Sequence, residues 1–161
     1  MDRAARAIEQ WRKERPDLDV SPMGVIGRLS EAASLISRER LAPLFARFGL
    51  QQGEFDVLAT LRRSGAPYAL TPTELYEATM VTSGAMTARL DRLEKAGLIQ
   101  RAPHPSDRRG IVVQLTPKGL ALVDEALTAH VANEHQILNG LTREEREMLA
   151  TLLKKLIGNL S

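Results

Sequence analysis

The sequence predicts a mainly α-helical chain with one small β-hairpin, arranged as a winged helix-turn-helix. Three observations carry that expectation. Five helix starts share one chemistry, a hydroxyl cap often followed by proline or by a glutamate three residues on. Two of those starts, near Thr71 and Thr82, lie so close that they give two short helices joined by a tight turn. Behind them, nine polar residues with two adjacent arginines separate two short apolar runs, which reads as a hairpin with a basic tip.

The totals bound the reading. At 161 residues, 43% hydrophobic and 26% charged, the chain is expected to form one compact domain over 1–161 with an aliphatic core. There is no cysteine, so disulfides and thiolate metal sites are excluded. The start of the chain lacks an apolar signal segment and no stretch is long enough to span a membrane, so a cytoplasmic location is expected and no membrane partner. The net charge is only +2, but six of the 22 Lys and Arg fall between Arg89 and Arg109, which places a basic face at the centre of the chain.

Residues 2–14 read as a short extra helix with Ile8 and Trp11 on one face, ended by Pro16. Ser21 is expected to cap a second helix with Pro22 at its first position. Its apolar repeat of Ile26, Leu29, Ala33, Ile36 and Leu44 runs on to Phe48. Pro43 should kink or break that helix, because it removes a donor and crowds the preceding turn. Gln52 to Arg63 forms a further helix with Phe55, Leu58 and Leu61 inward. Thr71, Pro72 and Glu74 make a capping box, and the next cap follows at Thr82 or Ser83. Leu98 to Arg101 and Ile111 to Leu115 are the hairpin strands. Thr116 and Pro117 open a long helix, and Thr142 with Glu145 caps the last one, whose apolar face is wide enough to need a partner.

The chemistry concentrates between Thr82 and Thr116. In the helix from Ser83 to Ala96, Met86, Leu90 and Leu93 form the buried stripe. Thr82, Ser83, Ala85, Thr87 and Ala88 are small residues at its open end, suited to deep entry into a groove and to contacts with phosphates or base edges, with Arg92 further along. None of the small residues offers the bidentate pairing to guanine that gives sharp readout. Arg108 and Arg109 sit at the hairpin tip, where guanidinium groups can enter a narrow minor groove. Asp107 beside them is expected to shape the loop, by pairing with an arginine or by accepting backbone N–H groups. His104, His130 and His135 do not have metal-ligand spacing, and neither a metal nor a cofactor is expected. No nucleophile–base–acid set or phosphate loop stands out, so an enzyme is not expected.

The segment D-R-R-G-I-V-V-Q-L-T, residues 107–116, resembles the wing signature of the MarR family of bacterial transcription regulators, through Asp107, Arg109, Val113, Leu115 and Thr116. The stretch LDRLEKAGLIQR at the end of the recognition helix is equally characteristic. The resemblance covers residue 21 to the C-terminus. It implies a homodimer built by helices over 21–49 and 117–160, with a winged helix-turn-helix over 52–116 meeting a palindromic operator in double-stranded DNA. By family habit it implies a repressor.

A narrower resemblance concerns a urate-responsive subgroup with an extra N-terminal helix carrying a tryptophan. Trp11, Asp56 and Arg63 match its pattern. Arg89 borders the buried stripe where the family usually has an aliphatic residue, and a partly buried arginine needs an acidic partner or an anionic ligand. Asp56 is the candidate partner, and urate or another purine the candidate effector. Trp11 would wall off the planar ring and Arg63 would bind its negative edge. The alternatives are a phenolic carboxylate such as salicylate as effector, or a helical interaction module in which these residues form only a structural ion-pair network.

Overall fold

A computed structural model describes residues 1–51, 53–79 and 83–161, without the Ser83 side chain. The chain divides into two compact units, Met1–Pro43 and Leu44–Ser161.

In the first unit, α1 (Arg3–Glu14) is capped by the Asp2 carboxylate, which accepts the Ala5 N–H at 2.8 Å. The same carboxylate takes Arg28 at 2.9 Å, so one side chain starts α1 and ties it to α2 (Ser21–Leu35). The expected Ser21 cap is not formed. The helix already includes Ser21, and its first N–H is taken instead by the Asp19 carboxylate at 3.0 Å. The expected break at Pro43 takes another form. A π-helical stretch, Ile36–Leu41, precedes the short helix α3 (Ala42–Ala46), and the Ala42 N–H reaches back to the Ser37 carbonyl. Widening the turn ahead of proline relieves the clash of its ring with the preceding carbonyls.

In the second unit, α4 (Glu54–Arg63) follows Gly53, whose φ of +81° is a left-handed conformation that glycine adopts without strain. The Thr71–Glu74 capping box is present in both directions, at 2.7 and 3.2 Å, and opens α5 (Pro72–Thr79). Next come α6 (Ser83–Lys95), the strands β2 (Ile99–Pro103) and β3 (Ile111–Leu115), and the helices α7 (Pro117–Ile137) and α8 (Arg143–Leu160). Thr116 caps α7, and Thr142 with Glu145 makes the second reciprocal box. Unforeseen in the sequence is a two-residue strand β1 (Ala69–Leu70), which pairs with β3 and gives an antiparallel sheet of order β1-β3-β2.

The core of this unit is aliphatic, as its composition requires. Leu58, Leu61, Leu75, Leu93, Val113 and Val123 are fully buried, from α4, α5, α6, β3 and α7. Burying each such side chain contributes about 1.5–3 kcal/mol. Phe45 and Phe55 stack at 4.5 Å between centroids, with His130 of α7 packed against both rings. His130 is thus a packed histidine.

Candidate nucleic-acid interface

The face that α6 offers to solvent follows from what it buries. Met86, Leu90 and Leu93 are turned into the core, so Thr87 and Ala88 are exposed and Ala85 is half-buried. Thr82 lies outside the described residues, and Ser83 is described only as the first residue of the helix.

Two basic residues that the sequence pools with the rest are engaged elsewhere. Arg92 donates to the Glu54 carboxylate at 2.9 and 3.3 Å. Glu54 is buried, and its carboxylate also accepts the Gln51 N–H at 2.6 Å. Arg92 therefore pins α6 to the start of α4 instead of standing free for a phosphate. Arg101 of β2 is held by Asp91 and Glu94 of α6, both at 2.8 Å, while its own N–H reaches Glu94 at 3.1 Å. The bond to Asp91 leads in raising the Arg101 guanidinium above its ordinary value, with Glu94 acting the same way. The base of the hairpin is thereby fixed to the helix beside it.

The hairpin tip is free by comparison. Among the described residues, neither Arg108 nor Arg109 has a hydrogen-bonded or ionic partner for its guanidinium, and both are exposed. Asp107 accepts the Arg109 backbone N–H at 2.9 Å, the second of the two arrangements expected for it.

Of the four residues expected around an effector, Trp11 lies on α1 in the first unit, half-exposed. In the second unit, Asp56 and Arg63 are exposed on α4 and Arg89 is half-buried on α6. The expected pairing of Asp56 with Arg89 is not formed. Among the described residues no ion pair joins Asp56, Arg63 or Arg89 to any carboxylate or base. The Arg89 guanidinium instead lies flat over the backbone of Gly53, where a Cβ would collide with its carbon and nitrogens. A Cβ there would push the guanidinium aside, and Asp56 faces solvent two positions into the helix.

Sequence reasoning missed Glu54 and the roles of Arg101 and His104 as the tie and the cap of the hairpin. Glu54 stands three residues after the N–H it caps, a readable spacing, but its cation is 38 residues away. His104 stands two and three residues before the N–H groups it accepts, the spacing of a side-chain-capped turn.

The chain as a whole has clear counterparts among known proteins. A profile described as MarR family matches residues 48–110. The HTH-type transcriptional regulator PecS of Dickeya dadantii is 47% identical over 156 residues, covering 94% of this chain and 93% of that protein. The chain belongs to the MarR family. A mutant of MarR from E. coli, solved in complex with operator DNA, superposes with a TM-score of 0.72 at 28% identity, covering 91% of this chain and 96% of that one. AbsC, a MarR family transcriptional regulator from Streptomyces coelicolor, superposes with a TM-score of 0.79 at 25% identity, covering 89% and 96%. The protein is accordingly a DNA-binding transcriptional regulator of the MarR family and not an enzyme. Among its described residues no helix is long and apolar enough to cross a membrane.

Proposed function

We propose that the chain works as a homodimeric repressor that sits on a palindromic operator and leaves it when a small anionic planar effector, urate or a related purine, binds. The observation that carries the DNA half is the pair of guanidinium groups of Arg108 and Arg109, without a partner among the described residues, on a hairpin locked to α6 through Arg101. Ala85, Thr87 and Ala88, with Thr82 and Ser83 ahead of them, enter the major groove, the wing arginines enter the neighbouring minor groove, and Asp107 shapes the wing. Arg92 contributes by orienting the helix.

Exposed apolar side chains support the dimer. Val25 and Ile26 on α2, and Met148, Leu152, Ile157 and Leu160 on α8, are more than half exposed. A cleft of about 730 Å³ beside α1 and α2, with Met23, Ile26 and Leu35 in its wall, is a second surface of the same kind. Two copies related by a two-fold axis would present their recognition helices about one helical turn of DNA apart.

The effector reading rests on Trp11, Asp56, Arg63 and Arg89. Arg89 is half-buried and pairs with no carboxylate among the described residues, so an anion that binds it meets no acid already in place and acts directly on α6. The test is a gel shift with a duplex obtained by in vitro selection against the full-length protein, over a salt series and with urate, xanthine or salicylate added. The reading expects specific binding that weakens steeply with salt and release by the purines at concentrations where salicylate does nothing. Release by salicylate alone would move the effector class to phenolic carboxylates, and no specific shift at low salt would remove the operator reading.

A further inference from the structure

The wing tip owes its shape to an imidazole. Between β2 and β3 the chain turns over His104–Gly110, closed at its base by the His104 N–H donating to the Gly110 carbonyl at 3.0 Å. Inside that closure, His104 Nδ1 accepts the backbone N–H of Ser106 and of Asp107, each at 3.1 Å, with the Ser106 hydroxyl at 3.3 Å. Asp107 then accepts the Arg109 N–H at 2.9 Å, and its carbonyl accepts the Gly110 N–H at 3.1 Å. The side chains of His104 and Asp107 thus satisfy three backbone donors of the turn, those of Ser106, Asp107 and Arg109. The turn is tight enough that a Cβ on Gly110 would stand 3.1 Å from the His104 Cβ.

We propose that His104 is the positioning residue of the wing: its Nδ1 holds the Ser106–Asp107 corner so that Arg108 and Arg109 are presented to the minor groove before DNA arrives. This rests on the reading that the wing arginines contact DNA. The chemistry of the acceptor fixes more than the loop. A ring nitrogen that accepts two N–H groups carries no proton, so the neutral ring has its hydrogen on Nε2. The imidazole therefore works through one nitrogen as a cap, in the way an aspartate or asparagine caps a turn. Preorganisation of this kind strengthens binding because the loop is ordered before the complex forms.

The two ring nitrogens are separated by substitution. Asparagine places its oxygen near the position of Nδ1, whereas glutamine places a donor near Nε2. The full-length protein and its His104→Asn, His104→Gln, His104→Ala and Arg108→Ala/Arg109→Ala variants are compared for operator affinity, with circular dichroism to establish that each is folded. His104→Gln and His104→Ala are expected to bind roughly ten-fold more weakly, the loss of a hydrogen-bonded cap, with His104→Asn within about two-fold of the parent. Nitrogen chemical shifts of the ring in the free protein should show Nδ1 unprotonated and Nε2 protonated. Recovery by His104→Gln and not by His104→Asn would overturn the cap in favour of a direct phosphate contact from Nε2. Equal binding by all His104 variants, with the double arginine variant weakened, would overturn the role of His104 while leaving the wing reading intact. An unweakened double arginine variant would remove the wing reading and the proposal with it.

Discussion

Arg92 of α6 and Glu54 of α4 form a half-exposed to buried ion pair at 2.9 Å, in which the Glu54 side chain keeps only 3% of its surface. The recognition helix is therefore oriented by a carboxylate that water cannot reach. Removing the cation strands a buried charge, which costs more than removing the charge itself. Arg92→Ala is expected to lose about 2 kcal/mol, below the range for fully buried pairs because Arg92 is half in water and Gln51 still donates to Glu54. Glu54→Gln keeps an acceptor and should cost less, and the double variant should be more stable than Arg92→Ala alone. Urea unfolding of the three variants checks this; a double variant less stable than Arg92→Ala would contradict the stranded-charge argument.

The start of α7 lies against the backbone that enters β2. A Cβ on Gly119 would overlap the Leu98 carbonyl oxygen, which also accepts the Thr116 N–H at 3.1 Å. Neither backbone can yield without losing that bond. Gly119→Ala is expected to destabilise the protein by about 3 kcal/mol. Gly84 is the contrast, because a Cβ there meets nothing within 4 Å. Gly84→Ala should gain up to about 1 kcal/mol from helix propensity while weakening operator binding, since its methyl lies at the end of α6 proposed to enter the groove. Melting temperatures and gel shifts of both variants measure the contrast, and a neutral Gly119→Ala would show that the helix can shift.

Three of the five expected helix starts were legible because a cap is written within four residues, whereas Ser21 yields to Asp19 and Thr82 lies outside the described residues. The Thr71–Glu74 and Thr142–Glu145 boxes and the Thr116 cap are found where their spacing puts them. The buried stripe Met86, Leu90 and Leu93 was legible for the same local reason. What escaped was set by distant partners. Strand β1 has two residues and exists only through β3, whose Gln114 is its register partner 45 residues on. Arg92 carries no mark that distinguishes it from Arg108, and only the fold brings Glu54 to it. The Asp56–Arg89 pair failed through geometry: Arg89 spans the end of α4 over Gly53, and the α-helical turn carries Asp56 outward.

The effector residues are expected to separate from the DNA-binding ones. Trp11 and Arg63 lie on α1 and α4, neither of which carries a proposed DNA contact. Trp11→Ala and Arg63→Ala should therefore keep operator affinity and lose the response to urate by about ten-fold or more, as expected when a charged hydrogen bond or a ring contact is removed. The matching readout is thermal: urate should raise the melting temperature of the parent and not of the variants, because a ligand held by the native state stabilises it. Variants that release DNA at the parent's urate concentration would rule out these residues as the site.

Acid should loosen α1. The Ala5 N–H, and after it the Arg28 guanidinium, hold the Asp2 carboxyl below its ordinary value. Asp17 and Asp19 are lowered as well, chiefly by Arg15 and by the Ser21 N–H. A carboxyl lowered in the folded state contributes stability that is full above its unfolded pKa. That stability fades as pH falls through the folded value, so the loss belongs below about pH 4. Protonation removes the acceptor that both starts α1 and binds Arg28, so helix and tether weaken together. Trp11 is the sole tryptophan and lies on this helix, which makes its fluorescence a local reporter. Asp2→Asn keeps a capping oxygen but does not titrate, so its fluorescence should change less between pH 5 and the acid limit than the parent's. Superimposable acid titrations of parent and variant would show that Asp2 does not hold α1 in place.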